Sequence, residues 1–191
     1  MSTLTIVLRI VAVLAFAGLT MLTIVWSRGQ AKTRAPQDRG DQAAVVANFT
    51  ALGLLFFSLF FFSSSPASVM ALLLALAGSL LALAGAALVV ICHGELGAAW
   101  SFAPKADPST GLITSGPYRL VRHPIYLGLT LLALGQAVAF GCWPALFIAL
   151  LGVVPTLAWR ARVEEKLLSR IFGESYEVYR QRTKMIVPHL L

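Results

Sequence analysis

The segment Gly116-Pro-Tyr-Arg-Leu-Val-Arg-His-Pro-Ile-Tyr-Leu-Gly128 sets Tyr118, Arg119, Arg122, His123 and Tyr126 at the mouth of an uncharged apolar run. A second set, Arg160-Ala-Arg-Val-Glu164-Glu165, closes the same run at its far end. Guanidinium groups bind carboxylates through paired N–H donors, carboxylates hold cations, and imidazole and phenol add hydrogen-bonding rings. Folding the run into a hairpin brings both sets together, so that polar chemistry is held at a membrane surface. The candidate site is expected at that meeting point.

The elements that must position these residues are membrane helices. Of 191 residues, 58% are hydrophobic and only 12% charged, far from the soluble-domain average, and several uncharged runs approach bilayer-spanning length. The expected fold is all-α: a polytopic integral membrane protein with about five transmembrane helices, a C-terminal helical hairpin and a cytoplasmic pocket. The first span runs from Leu4 through Arg9 to Trp26, with Arg9 expected to snorkel to the interface. It lacks a basic start and exceeds the length of a signal h-region, which favours a membrane span over a cleaved signal. A polar loop, Ser27 to Gln42, leads to the second span, Ala43 to Phe62; a tight turn at Ser63 to Pro66 leads to the third, Val69 to Ile91.

Ile125 to Trp159 carries no charge and is too long for a single crossing. It must turn back, most naturally at Gly141-Cys-Trp-Pro144, with proline in the first turn of the next helix and tryptophan at the interface. A kink is expected at Pro155. Arg160 to Lys184 reads as a polar helix and loop leaving the bilayer, with a helix stop at Phe172-Gly173. With five crossings, every lysine and arginine except Arg9 falls on one side, which the positive-inside rule makes cytoplasmic. The expected location is therefore the inner (plasma) membrane of a prokaryote.

The formal net charge of +7 does not indicate nucleic acid, because the cations lie in short loops beside the spans and leave no basic face. Cys92 and Cys142 stand at the ends of different segments and match neither a disulfide framework nor metal-ligand spacing. The hexamer Leu-Leu-Ala-Leu-Ala-Gly occurs at Leu73 to Gly78 and again at Leu80 to Gly85, which puts Gly78 and Gly85 on one helical face. Small residues there allow close helix approach, either within the monomer or at a dimer interface. The chain divides into a three-helix region, 1–92, and a catalytic region, 93–191, that begins with a Pro- and Gly-rich connection from His93 to His123.

From Leu96-Gly-Ala-Ala-Trp100 through Gly111-Leu-Ile-Thr-Ser-Gly-Pro-Tyr-Arg-Leu-Val-Arg-His-Pro-Ile-Tyr-Leu-Gly128, and again from Arg160 through Glu164-Glu165 and Phe172-Gly173-Glu174-Ser-Tyr176-Glu-Val-Tyr179 to Pro188, the chain resembles the isoprenylcysteine carboxyl methyltransferases, their bacterial relatives and the related phospholipid methyltransferases. The match covers about the C-terminal half, and its specificity lies in several ordered pieces at compatible separations. The resemblance implies an integral membrane enzyme that binds S-adenosylmethionine, releases S-adenosylhomocysteine and admits a lipidic or prenylated acceptor from the bilayer. By family position, Gly111, Leu112, Ile113, Tyr118, His123, Pro124, Ile125 and Tyr126 would line the cofactor pocket. Glu164 would hold the cofactor, and Arg160 the substrate carboxylate. The eukaryotic enzymes carry a histidine at the position of Thr110 and a glutamine at that of Ala103, a departure on one side of the cofactor.

The residue chemistry fits methyl transfer on its own terms. S-adenosylmethionine needs an anion for its ammonium, donors for its carboxylate and an apolar or aromatic wall. Glu164, the His123 and Tyr126 pair, and Leu112 with Ile113 offer these in turn. A carboxylate acceptor is already ionised at neutral pH, so no residue is assigned as general acid or base; His123 reads as a binding residue. Three simpler accounts stand beside these: Tyr126 as an interfacial anchor, Arg160 and Glu164 as an ordinary i, i+4 salt bridge, and Glu95 as a loop cap or supporting partner. The leading function is methyl transfer to an isoprenylcysteine-like or other amphipathic carboxylate. The alternatives are a phospholipid amine or small thiol as acceptor, and a noncatalytic membrane scaffold.

Overall fold

The computed structural model describes residues 2–28, 39–63, 68–97 and 111–187. Its helices are α1 (Thr3–Arg28), α2 (Arg39–Phe62), α3 (Val69–Leu96), α4 (Pro124–Ala139), α5 (Trp143–Ile148), α6 (Val154–Phe172) and α7 (Glu174–Arg182). No strand is present among the described residues. Four helical stretches, Thr3–Trp26, Ala43–Phe62, Val69–Leu96 and Trp143–Phe172, are long and apolar enough to cross a membrane; Pro124–Ala139 is a shorter apolar helix. Leu151, Phe60 and Val69 are among the large apolar side chains left exposed, as expected for a surface solvated by lipid.

Helix α3 packs between α1 and α4, and α2 lies along α5 and α6. Glycine explains the intimacy of the α3–α4 pair. A Cβ on Gly78 would stand 2.6 Å from the Gly135 carbonyl oxygen, and one on Gly85 would stand 2.7 Å from the Leu132 nitrogen. Reciprocally, a Cβ on Gly128 would stand 2.8 Å from the Gly85 oxygen, and one on Gly135 would stand 2.7 Å from the Gly78 oxygen. Two glycines seven apart on each helix thus let the backbones touch. The glycine face seen in the repeated hexamer is used within the chain.

Helix α3 starts at Ser68, whose hydroxyl accepts from the Ala71 N–H at 3.2 Å. It continues past the expected end at Ile91 to Leu96, so Cys92, His93 and Glu95 belong to the helix rather than to the following connection. The expected turn at Ser63 to Pro66 lies partly outside the described residues, as do Ala103, Thr110, Trp100 and Pro188.

The hairpin turns where expected: Gly141 adopts φ 58° and Pro144 falls in the first turn of α5. Its arms are unequal. At 16 residues, α4 is about 24 Å long, short of the ~30 Å hydrocarbon core. The second arm is one continuous helix from Trp143 to Phe172, which carries the polar Arg160 region without a break. In place of a simple kink at Pro155, the stretch Ala149–Val153 is π-helical, which accommodates the missing proline N–H. Just beyond it, Asn48 Nδ2 donates to Thr156 Oγ1 at 3.1 Å and ties α2 to α6.

Arg9 does not snorkel. It is buried, donating from Nε to the Ala139 carbonyl at 3.0 Å and from Nη2 to the Phe140 carbonyl at 3.4 Å. The last carbonyls of a helix lack intrahelical partners, and Arg9 supplies donors to those of α4.

Candidate active site

The site forms where α4 begins and where α6 passes beside it. Pro124 occupies the first turn of α4, where its missing N–H costs nothing, and His123 precedes it outside the helical region, with φ −124° and ψ 61°. The backbone before α4 is pinned from the other end of the catalytic region. The N–H groups of Arg122 and His123 donate to the Lys184 and Met185 carbonyls at 2.8 and 2.9 Å, around a parallel bridge between Val121 and Lys184. On α6, Leu157 and Ala161 are buried, and Arg160 and Glu164 fall on the same side of the helix at one-turn spacing.

The two sets of charged residues converge. Tyr126 donates its hydroxyl to Glu164 Oε1. His123 Nδ1 stands 3.5 Å from Glu164 Oε2, and its Nε2 stands 3.6 Å from Glu165 Oε1. Arg160 Nη2 lies 3.9 Å from Glu164 Oε1, and its guanidinium carbon lies 5.8 Å from the centre of the Tyr126 ring. The His123 and Tyr126 rings run nearly parallel, 5.6 Å apart. His123 is only 5% exposed in its side chain, whereas Glu164 keeps 22%. Among the charged side chains that surround it, Glu164 is thus the most exposed.

Burial by itself would lower the His123 pKa, but Glu164 and Glu165 flank both ring nitrogens and their attraction wins, so the imidazole titrates above its ordinary range. The Tyr118 phenol is pushed up, first by burial and further by neighbouring acidic groups that include Glu164 and Glu95. Tyr118 is thus electrostatically linked to the same carboxylate.

Of the residues expected from sequence, His123, Tyr126, Glu164 and Arg160 meet directly. Pro124 is buried, and Ile125, in the first turn of α4, packs against the core. Tyr118 is buried in the short 3-10 turn Gly116–Arg119, with its carbonyl accepting from Tyr179 Oη at 2.7 Å. Gly111, Leu112 and Ile113 form the lead into that turn, Gly111 in the left-handed region at φ 70° and the other two half-buried. Tyr126 is buried, and its hydroxyl is engaged by Glu164, so the interfacial-anchor account fails.

Sequence reasoning missed a supporting layer. Arg122 Nε pairs with Glu165 Oε1 at 2.6 Å. Its Nη1 donates to the Arg180 carbonyl at 3.1 Å and also to the Thr183 carbonyl. Glu165 is therefore committed to holding the site together. The available signal was faint: Met185-Ile-Val187, a short apolar run just after a polar helix, marks a segment that returns to the core.

Fold and cluster together define an all-helical membrane protein with a partly exposed ionic cluster at one end of its helical hairpin. A sequence model of the phospholipid methyltransferase family matches residues 73–175, more than half of the chain. The chain belongs to that family. Protein-S-isoprenylcysteine O-methyltransferase of Schizosaccharomyces pombe is 34% identical over 86 residues, covering 45% of this chain and 36% of that protein. Protein-S-isoprenylcysteine O-methyltransferase A of Arabidopsis thaliana is 38% identical over 79 residues, covering 41% of this chain and 40% of that protein. The alignments thus span well under half of these relatives. Among solved structures, the eukaryotic intramembrane Ras methyltransferase, isoprenylcysteine carboxyl methyltransferase, has a similar fold, with a TM-score of 0.58 at 18% identity, covering 94% of this chain and 68% of that one.

Proposed function

We propose that the chain is an S-adenosylmethionine-dependent membrane methyltransferase acting on the carboxylate of an isoprenylcysteine-like or other amphipathic acceptor, with 93–191 as its catalytic region and its site toward the cytoplasm. The observation that carries this reading is the meeting of Glu164 and Arg160 with His123 and Tyr126 in one partly open cluster. The residues present fit the donor. Glu164 offers a carboxylate with 22% exposure beside an aromatic ring, and His123 Nε2 is a buried polar atom that makes no hydrogen bond. When bound, S-adenosylmethionine supplies an electrophilic methyl group and departs as a neutral thioether.

Glu164 would hold the donor's ammonium, with Tyr126 and His123 fixing the direction of its carboxylate. Arg160 would orient the acceptor carboxylate. No proton has to move, because the nucleophile is already ionised; alignment and exclusion of water do the work, and proximity can contribute about 7 to 11 kcal/mol. Gly111, Leu112, Ile113, Tyr118, Pro124 and Ile125 would complete the donor's walls.

Membership of the phospholipid methyltransferase family keeps an amine acceptor as the second reading. An amine would want a further anion, and Glu165 is the nearest one. Its engagement by Arg122 at 2.6 Å favours the carboxylate. The experiment supplies purified protein with labelled S-adenosylmethionine and, separately, a farnesylcysteine analogue, phosphatidylethanolamine and a small thiol. Label is expected in the farnesylcysteine ester; label in the phospholipid would establish the second reading. Arg160→Ala should abolish carboxylate methylation while S-adenosylhomocysteine binding persists, and Glu164→Ala should weaken that binding. Wild-type protein that binds no S-adenosylhomocysteine would favour a scaffold.

A further inference from the structure

The carboxylate of Glu95 lies outside the ionic cluster and belongs to no step described above. It stands at the end of α3, two residues before the chain leaves that helix at Gly97. Ser115 Oγ donates to Glu95 Oε2 at 2.5 Å, the short distance typical of a hydroxyl bound to a charged acceptor. The next residue, Gly116, lies flat against the same side chain. A Cβ there would stand 2.7 Å from both Cδ and Oε1 of Glu95 and 2.9 Å from its Cγ. Gly116 also adopts φ 55°, which favours glycine whatever the space, and a larger residue there would push the Glu95 side chain aside.

Resting on the methyl-donor reading above, we infer that Glu95 is a positioning residue for donor binding: by clamping Ser115 and Gly116 to α3, it sets the path of the 111–119 segment over the site. The segment is fastened at two points of different character. Downstream, Tyr118 is buried and its carbonyl is bound by Tyr179, while Arg122 and His123 pair with the 184–185 backbone. Upstream, the Glu95 bond and the Gly116 contact fasten it to α3. Gly111 to Ile113 emerge directly from that upstream clamp, so their placement depends on it. The influence of Glu95 passes through the backbone of the Ser115–Tyr118 turn, where the Tyr118 N–H donates to the Ser115 carbonyl at 3.1 Å.

The test uses the full chain in lipid nanodiscs carrying Glu95→Ala, Ser115→Ala and the double substitution. Three quantities are read: S-adenosylhomocysteine affinity by calorimetry, separate KM values for donor and acceptor, and hydrogen exchange of the 111–119 amides. Each single variant should weaken donor affinity about five- to tenfold and raise donor KM in step, with acceptor KM and melting temperature unchanged. The double variant should lose no more than either single one, because both remove the same bond. Glu95→Asp should recover part of the loss in donor affinity. Amides of 111–116 should exchange faster in Glu95→Ala than in wild type. Unchanged donor affinity, independent additive losses, or equal damage to donor and acceptor KM would overturn the assignment. Should wild-type protein bind no donor product at all, the methyl-donor reading fails, and the exchange rates still report whether Glu95 holds the segment.

Discussion

Arg122 and Glu165, 43 positions apart, form an ion pair at 2.6 Å with side chains only 9% and 17% exposed. The same guanidinium holds the carbonyls of Arg180 and Thr183, so one side chain joins the loop before α4, helix α6 and the segment after α7. Removing one partner of a buried pair strands the other charge. Arg122→Ala should cost about 3 kcal/mol of unfolding free energy, read by denaturant titration in detergent. Arg122→Lys should recover only part, since a single ammonium cannot reproduce the fork. Wild-type stability in Arg122→Ala would show that the pair contributes nothing.

The imidazole of His123 supplies a pH signature. Its folded pKa is raised above the ordinary histidine value of about 6.5 by Glu164 and Glu165, against the effect of burial. Stability from this pairing is fully present below the unfolded value and is lost as pH rises through the folded one. Melting temperature should therefore fall in wild type as pH rises through the folded value, and His123→Gln should flatten this part of the profile. A profile identical in both proteins would contradict the pairing.

Glycine substitutions separate the α3–α4 contact from helix propensity. Gly85→Ala places a methyl group against the α4 backbone, at 2.7 Å from the Leu132 nitrogen, and should destabilise by about 1 to 3 kcal/mol. Gly53→Ala meets nothing within 4 Å and should be neutral or stabilising by up to about 1 kcal/mol. Thermal unfolding of the two variants in one detergent makes the comparison, and equal effects would remove the contact as the cause.

At the far end of α4, Arg9→Leu should cost about 2 to 3 kcal/mol by stripping donors from the Ala139 and Phe140 carbonyls. Helix α4 separates this position from His123 by about 24 Å, so methyl transfer by the folded fraction should be retained. Loss of turnover without loss of stability would show that Arg9 acts on the site.

Much of the architecture was legible because lipid imposes simple demands. Long uncharged runs marked the spans, and the uncharged stretch from Ile125 to Trp159 had to double back at Gly141 to Pro144. The approach of Arg160 and Glu164 to His123 followed from that hairpin alone. What stayed hidden depended on depth and on distant backbone pairing. Arg9 read as an interfacial cation because hydropathy does not reveal that α4 stops short beside it. His93 and Glu95 read as a connection because polar residues end a hydropathic span before they end a helix. The bond from His123 N–H to the Met185 carbonyl leaves almost no trace in composition, since an isolated bridge needs no strand pattern.

That late pairing orders the events of biosynthesis. Helices α3 and α4 can reach the bilayer and zip together while the ribosome is still translating, but Arg122 then awaits acceptors that lie 58 and 61 positions further on. The ionic pocket is consequently among the last parts of the molecule to mature, and the nascent chain inserts before it is competent.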